Sequence, residues 1–82
     1  MKNGMNPYVK KNESVENYHL KLWFENGEQK IFDLKPYLNQ GVFKSLQNPD
    51  LFAAARVVSG SIEWSNNLDL SYDTLYLQSQ DA

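Results

Sequence analysis

YHLKLWFENGEQKIFDL, residues 18–34, decides how this chain folds. Tyr18, Leu20, Leu22 and Phe24 alternate with His19, Lys21, Trp23 and Glu25 up to Asn26-Gly27, and an apolar run resumes at Ile31. A period of two broken by Asn-Gly is the strongest short-range signal for a β-hairpin, because a type I′ turn needs two residues that accept positive φ. A two-residue loop sets Glu25 opposite Glu28, Leu22 opposite Ile31 and Lys21 opposite Phe32. Tyr18, Leu20, Leu22, Phe24 and Ile31 are then expected to point to the core. Trp23 and Phe32 share the other face, so the hairpin is expected to be central or covered.

The flanking segments extend this hairpin. YVKKNESV offers a first strand with Val9 and Val15 apolar, joined to the hairpin by a tight connection at Glu16-Asn17. Beyond it Pro36–Leu38 reads as a short helical turn, because proline presets φ for a first turn, and Val42–Leu46 as a second short helical piece after Gly41. Such pieces are too short to stand alone and are expected to dock through Tyr37, Leu38, Val42, Phe43 and Leu46. Asn48-Pro49-Asp50 reads as a turn or helix stop. LFAAARVVSGSIEW, residues 51–64, reads as a second hairpin around Ser59-Gly60, with Val57 facing Ile62, Arg56 facing Glu63 and Ala55 facing Trp64; strand is preferred over a helical start at the alanines. Ser71 is an N-cap candidate for a final helix, with Asp73 in the first turn and Tyr72, Leu75, Tyr76 and Ser79 at helical spacing. The expected fold is α+β: two hairpin units of about five strands, short helical turns between them, and a carboxyl-terminal helix packed on the sheet. Residues 1–82 read as one domain, with 1–6 a loose extension.

Composition limits the function. With 82 residues, 41% of them hydrophobic, the chain suits one small globular domain and leaves little room for an enclosed substrate cavity. The absence of cysteine removes disulfides, thiolate zinc ligands and thiol nucleophiles. The longest apolar run, LFAAA, is far too short to span a bilayer and the start lacks the apolar stretch of a secretory signal, so a cytoplasmic protein is expected. Charge is uneven: residues 1–44 carry seven Lys against five acids, whereas 45–82 carry Arg56 against Asp50, Glu63, Asp69, Asp73 and Asp81. No basic stripe beyond Lys10-Lys11 answers a phosphate backbone, so direct nucleic-acid binding is not expected. The acidic half is either a solvated surface or a face for a basic protein partner.

Each chemical motif has a plainer explanation. His19, the single histidine, lies on a strand among core residues, where an exposed imidazole suffices. Asp69, Ser71 and Asp73 alternate as the first ligands of a calcium loop do, but Thr74 and Gln80 stand where that loop needs Gly and a bidentate Glu. No two of Glu25, Glu28, Asp33, Glu63 and Asp69 are brought over one pocket by the pattern, and the four glycines stand alone, without a phosphate-binding run. Trp23, Phe32 and Trp64 could form a base-stacking platform, yet lack adjacent cations. No catalytic residue, metal ligand or cofactor is expected.

The pieces LWFENGEQKIFDL, PYL, GVFKSL, LF and SIEWSNNLDLSYDTLY, in this order and spacing, resemble the bacterial family known as "domain of unknown function 2442". Its members look like W-P-N-G-x-D-[LI]-x-P-[DE]-x-L-Y at the carboxyl end; here Ser65, Asn67 and Tyr72 replace Pro, Gly and Pro. Asn67 can hold a positive φ as Gly does, and Tyr72 would occupy the first helical position. The resemblance implies two hairpin units and short helices with a terminal helix over the sheet, and no established activity. Some relatives look like amino-terminal domains joined to a helix-turn-helix domain; others are stand-alone chains encoded beside a second small protein in a toxin–antitoxin arrangement. This chain ends soon after its last helix, so a fused DNA-binding domain is not expected.

The expectation is a non-enzymatic interaction module that docks a small protein partner, as an antitoxin-like or accessory chain, through Trp64, Asn66, Asp69 and Asp73, with Trp23 and Phe32 as an alternative apolar patch. A homo-oligomer is compatible with this. The alternatives are a nucleic-acid-associated regulator acting through a partner or dimer, and a small hydrolase-like enzyme.

Overall fold

The structure is a computed structural model that describes residues 6–65 and 67–82. It is α+β, with the chain running β1 (Val9–Val15), β2 (His19–Phe24), β3 (Gln29–Asp33), α1 (Pro49–Ala53), β4 (Arg56–Val58), β5 (Ser61–Glu63), β6 (Asp69–Leu70), α2 (Tyr72–Gln78) and β7 (Gln80–Asp81). Short 3₁₀ turns occupy Glu16–Tyr18, Lys35–Tyr37 and Gly41–Gln47. The strands form two antiparallel sheets, β1-β2-β3-β7 and β4-β5-β6.

The first hairpin forms, with a register one residue away from the expected one. Gly27 N–H donates to Phe24 C=O at 3.0 Å and Phe24 N–H to Glu28 C=O at 2.9 Å, so the loop is the three residues Glu25, Asn26 and Gly27. Gly27 alone among them has a positive φ, +91°, while the Asn26 side chain accepts from Glu28 N–H at 3.0 Å. That is a three-residue loop with glycine at its left-handed position, instead of a two-residue type I′ turn. Leu20 consequently faces Phe32, Lys21 faces Ile31 and Leu22 faces Lys30. A one-residue slip exchanges the faces of a strand. Phe32 therefore joins the core at 1% exposure with Leu20, Leu22, Phe24 and Leu34, and Ile31 moves to the outer face.

The second hairpin follows its expected register, with Arg56 opposite Glu63 and Val57 opposite Ile62. Here both loop residues are left-handed, Ser59 at φ 50° and Gly60 at φ 83°, as type I′ requires. Leu51–Ala53, expected as strand, is helical instead. Asn48 stops the preceding 3₁₀ turn and caps α1, its side chain accepting from Asp50 N–H at 2.9 Å and Leu51 N–H at 3.4 Å, with Pro49 at the first helical position. Those caps and the high helix propensity of alanine outweigh the β pattern there.

Two short strands were not anticipated. After Trp64 the chain turns through Asn67, whose φ is 68°, as its glycine-like position requires; Asn67 N–H donates to Trp64 C=O at 3.2 Å and Trp64 N–H to Leu68 C=O at 2.8 Å. This repeats the bond pattern of the 25–27 loop and returns Asp69–Leu70 as β6 beside β5. Ser71 caps α2, its hydroxyl accepting from Thr74 N–H at 3.3 Å. After the helix, Gln80 and Asp81 pair with Ile31 and Lys30.

The core lies between the sheets. Leu46, Phe52, Ile62, Trp64, Leu68, Leu70 and Leu75 meet the inner residues of β2 and β3, and Tyr18, Tyr37, Leu38 and Phe43 pack on its margin. Val42, expected to dock, is 69% exposed, because its 3₁₀ turn aims Phe43 and Leu46 inward. The expected loose extension of residues 1–6 lies outside the described residues except for Asn6, whose amide donates to Asp73 at 2.8 Å.

Candidate functional site

Among the described residues, those expected to bind a partner divide between the core and the surface. Trp64 is 1% exposed, and its indole N–H donates to Phe52 C=O at 3.1 Å inside the core. A large aromatic with its one polar atom satisfied internally is a packing residue, so Trp64 and Phe32 are removed from the candidate surface. Asp69 is exposed on β6 opposite Glu63. Asp73 is half-buried at the start of α2, where it accepts the Asn6 amide. Asn66 lies outside the described residues. Of the other acids of the carboxyl half, Asp50 lies at the start of α1 and Asp81 bonds Lys30 at 3.0 Å.

Trp23 is different. The β1–β2 and β2–β3 registers place Lys11, Trp23 and Gln29 in one row of the outer sheet face, Glu13, Lys21 and Ile31 in the next, and Val15, His19 and Asp33 in a third. All are half-buried or exposed. The Trp23 ring carries the Lys11 ammonium 4.6 Å from its centre and that of Lys21 at 5.1 Å. Cations at these distances are attracted to the ring quadrupole and hold the indole in place. Alternation in the sequence located Trp23 on this face; its flanking by Lys11 was concealed by a bulge between Val9 and Lys11, which shifts the register of β1.

Beside this face, His19 Nε2 lies 3.7 Å from Asp33 Oδ1, at the rim of a hollow of about 340 Å³ lined also by Ile31, Gln78, Gln80 and Asp81. A second, apolar hollow of about 260 Å³ lies at the end of β1 between Val15, Tyr18, Pro49, Phe52 and Ala53. Asn17 and Tyr18 on its border are both left-handed, φ 61° and 60°. That conformation is uncommon for a tyrosine, and it is held by the Tyr18 hydroxyl on Gln47 C=O, the ring against Phe52 at 5.1 Å and Leu34 N–H on Tyr18 C=O at 2.9 Å.

A polar cluster that the sequence did not reveal joins β3, α2 and β7. The Tyr76 hydroxyl donates to Glu28 Oε1 at 2.6 Å, and Lys30 lies 4.7 Å from the Tyr76 ring centre and 3.0 Å from Asp81. The hydrogen bonds from Tyr76 and Asn26 lower the Glu28 pKa, and the bond to Glu28 raises that of Tyr76. These interactions tie the carboxyl end to the sheet. Of the other carboxylates weighed as acid–base groups, Glu25 accepts from Tyr8 N–H and Asp33 from Lys35 N–H, while Glu63 and Asp69 face each other across β5 and β6. Among the described residues no group of three or more His, Asp or Glu could hold a metal ion, and no helix is long and apolar enough to cross a membrane.

No curated protein and no solved structure matches the chain. One family model does: it covers residues 13–81, from the middle of β1 to β7, and so spans both sheets and α2. The chain therefore belongs to the family described as "Protein of unknown function (DUF2442)".

Proposed function

We propose that this protein is a non-enzymatic interaction module that docks a second small protein on the outer face of its four-stranded sheet, as an antitoxin-like or accessory chain. One observation carries this: Trp23, half-buried on an open sheet face and flanked by the ammonium groups of Lys11 and Lys21. An aromatic anchor held in one orientation loses little entropy on contact, and tryptophan is enriched among residues that dominate binding energy. The face suits a partner that offers an apolar side chain to the indole and a carboxylate to the flanking lysines. It suits single-stranded nucleic acid less well, since Phe32 and Trp64 are core residues and Glu13 and Asp33 share the face.

The test is co-expression with the product of the neighbouring gene, followed by light scattering on the purified material. A heteromeric mass that is lost in Trp23→Ala, with the circular dichroism of the variant unchanged, is expected. Capture that survives Trp23→Ala, or no capture by the native chain, would overturn the proposal.

A further inference from the structure

β1 is an edge strand, and its outward groups can be identified. Phe24 N–H bonds Glu28 C=O and Leu34 N–H bonds Tyr18 C=O, so the even-numbered residues of β2 bond towards β3 and the odd-numbered ones towards β1. Their partners Lys11, Glu13 and Val15 therefore bond inward, and the main-chain N–H and C=O of Asn12 and Ser14 point away from the sheet. The side chains of these two residues reach the carbonyls of Ala55 and Phe52, each at 3.4 Å, which holds the segment from α1 to β4 against the strand. Among the described residues no main-chain group pairs with the outward edge of Asn12 or Ser14; Val9 N–H, beyond the bulge, bonds Gly60 C=O at 2.9 Å. An unpaired edge of this kind is a template for another strand.

The sequence of the edge specifies which strand. In VKKNESV an antiparallel copy centred on Asn12 sets Asn12 against Asn12, Lys11 against Glu13, Glu13 against Lys11, and Lys10 against Ser14. The outward groups of Asn12 then form the hydrogen-bonded pair at the two-fold axis. The two Lys–Glu pairs fall at the non-hydrogen-bonded positions, where facing side chains stand closest. Both pairs lie on the outer face, where Glu13 already stands across from Lys21 and Lys11 from Trp23. A row across two copies thus reads Lys21, Glu13, then the second copy's Lys11 and Trp23, with each carboxylate between two ammonium groups.

We propose that two copies of this chain pair β1 to β1, antiparallel about Asn12, and join their four-stranded sheets into one. The bulge and the Val9–Gly60 bond end the pairing at Lys10, so about five residues of each chain take part. That is a small contact, at the low end of specific interfaces, and the dimer exchanges with monomer. The proposal does not depend on the docking role of Trp23, and its readout comes from the pure chain alone.

Sedimentation of the purified protein from micromolar to millimolar concentration is expected to show the mass rising from 9.5 kDa towards twice that value. Lys11→Glu sets Glu against Glu twice, and Glu13→Lys sets Lys against Lys twice; each should weaken association by about tenfold or more. An equimolar mixture of the two single variants should associate again as a heterodimer, and the double variant Lys11→Glu/Glu13→Lys should recover self-association. Hydrogen exchange at the Asn12 amide should slow as the mass rises. If Lys11→Glu fails to fold because Trp23 loses a neighbour, Glu13→Lys and the double variant still decide the matter. A native chain that remains monomeric at millimolar concentration would overturn the proposal, as would a dimer equally strong in a folded single variant or one that leaves exchange at Asn12 unchanged.

Discussion

The indole N–H of Trp64 reaches the carbonyl of Phe52 at 3.1 Å and joins the end of β5 to α1 through the core. Replacing Trp64 by Phe removes this donor and part of the ring volume from a site that is 1% exposed, so a loss of about 2 kcal/mol is expected. Urea unfolding followed by circular dichroism measures it. A loss below about 0.5 kcal/mol would mean that Trp64 is not the packing residue described above.

Gly60 and Gly27 are both left-handed but differ in their surroundings. A Cβ on Gly60 would stand 2.7 Å from Tyr8 Cβ and Cγ, whereas one on Gly27 meets nothing within 4 Å. Gly27→Ala should cost only the backbone strain, roughly 1–2 kcal/mol. Gly60→Ala adds a collision with atoms close to the Tyr8 backbone, which also disturbs the Tyr8 ring against Tyr72 at 4.5 Å. It should be clearly the more damaging of the two, as read from their urea midpoints; equal midpoints would refute the close approach of Tyr8.

This contrast bears on what the sequence could reveal. Asn26-Gly27 and Ser59-Gly60 look alike as turn signals, yet only Ser59-Gly60 is the two-residue loop, because Asn26 bonds Glu28 N–H and leaves Gly27 as the sole left-handed residue of its turn. The hairpin was legible and its register was not. The correcting signal was Leu34, which has the parity of Phe32 and is fully buried with it; both belong inside, and Ile31 outside. In the same way Ser71 announced its helix through cap chemistry, while β6 and β7, two residues each, carry no periodicity that could announce them. The candidate site was half legible. Alternation put Trp23 on the outer face, but it could not show that Trp64 finds its hydrogen-bond partner across the core.

The two helix caps can be weighed against each other. Ser71 presents its hydroxyl to Thr74 N–H, and Asn48 presents one oxygen to both Asp50 and Leu51 N–H. Each change to Ala should cost about 1 kcal/mol, and Asn48→Gly only a few tenths beyond the native cap. Thermal unfolding of the three variants tests this. The cap of α1 would be refuted if Asn48→Ala and Asn48→Gly were equally harmful.

The link between Tyr76 and Glu28 should appear in the pH dependence of stability. The Glu28 carboxyl is held below its ordinary value of 4.5, first by the Tyr76 hydroxyl and then by the Asn26 amide. A depressed acid contributes stability above its unfolded pKa and loses it as pH falls through the folded one, so this contribution fades on acidification below about 4.5. Tyr76 is held above its ordinary value of 10.0, chiefly by its bond to Glu28. A raised group contributes below its unfolded pKa and loses that contribution as pH climbs through the folded one, so a second decline begins above about 10. Lys30, raised chiefly by its hydrogen bond to Asp81 and in smaller part by Tyr76, adds to the alkaline limb. Tyr76→Phe removes the hydroxyl and should shrink the acid limb along with the tyrosine part of the alkaline one, while Asp81→Asn should weaken the lysine part. Urea midpoints measured across the pH range in the three proteins separate these contributions. An acid limb unchanged in Tyr76→Phe would show that Glu28 draws its stabilisation from Asn26 and Lys30 instead.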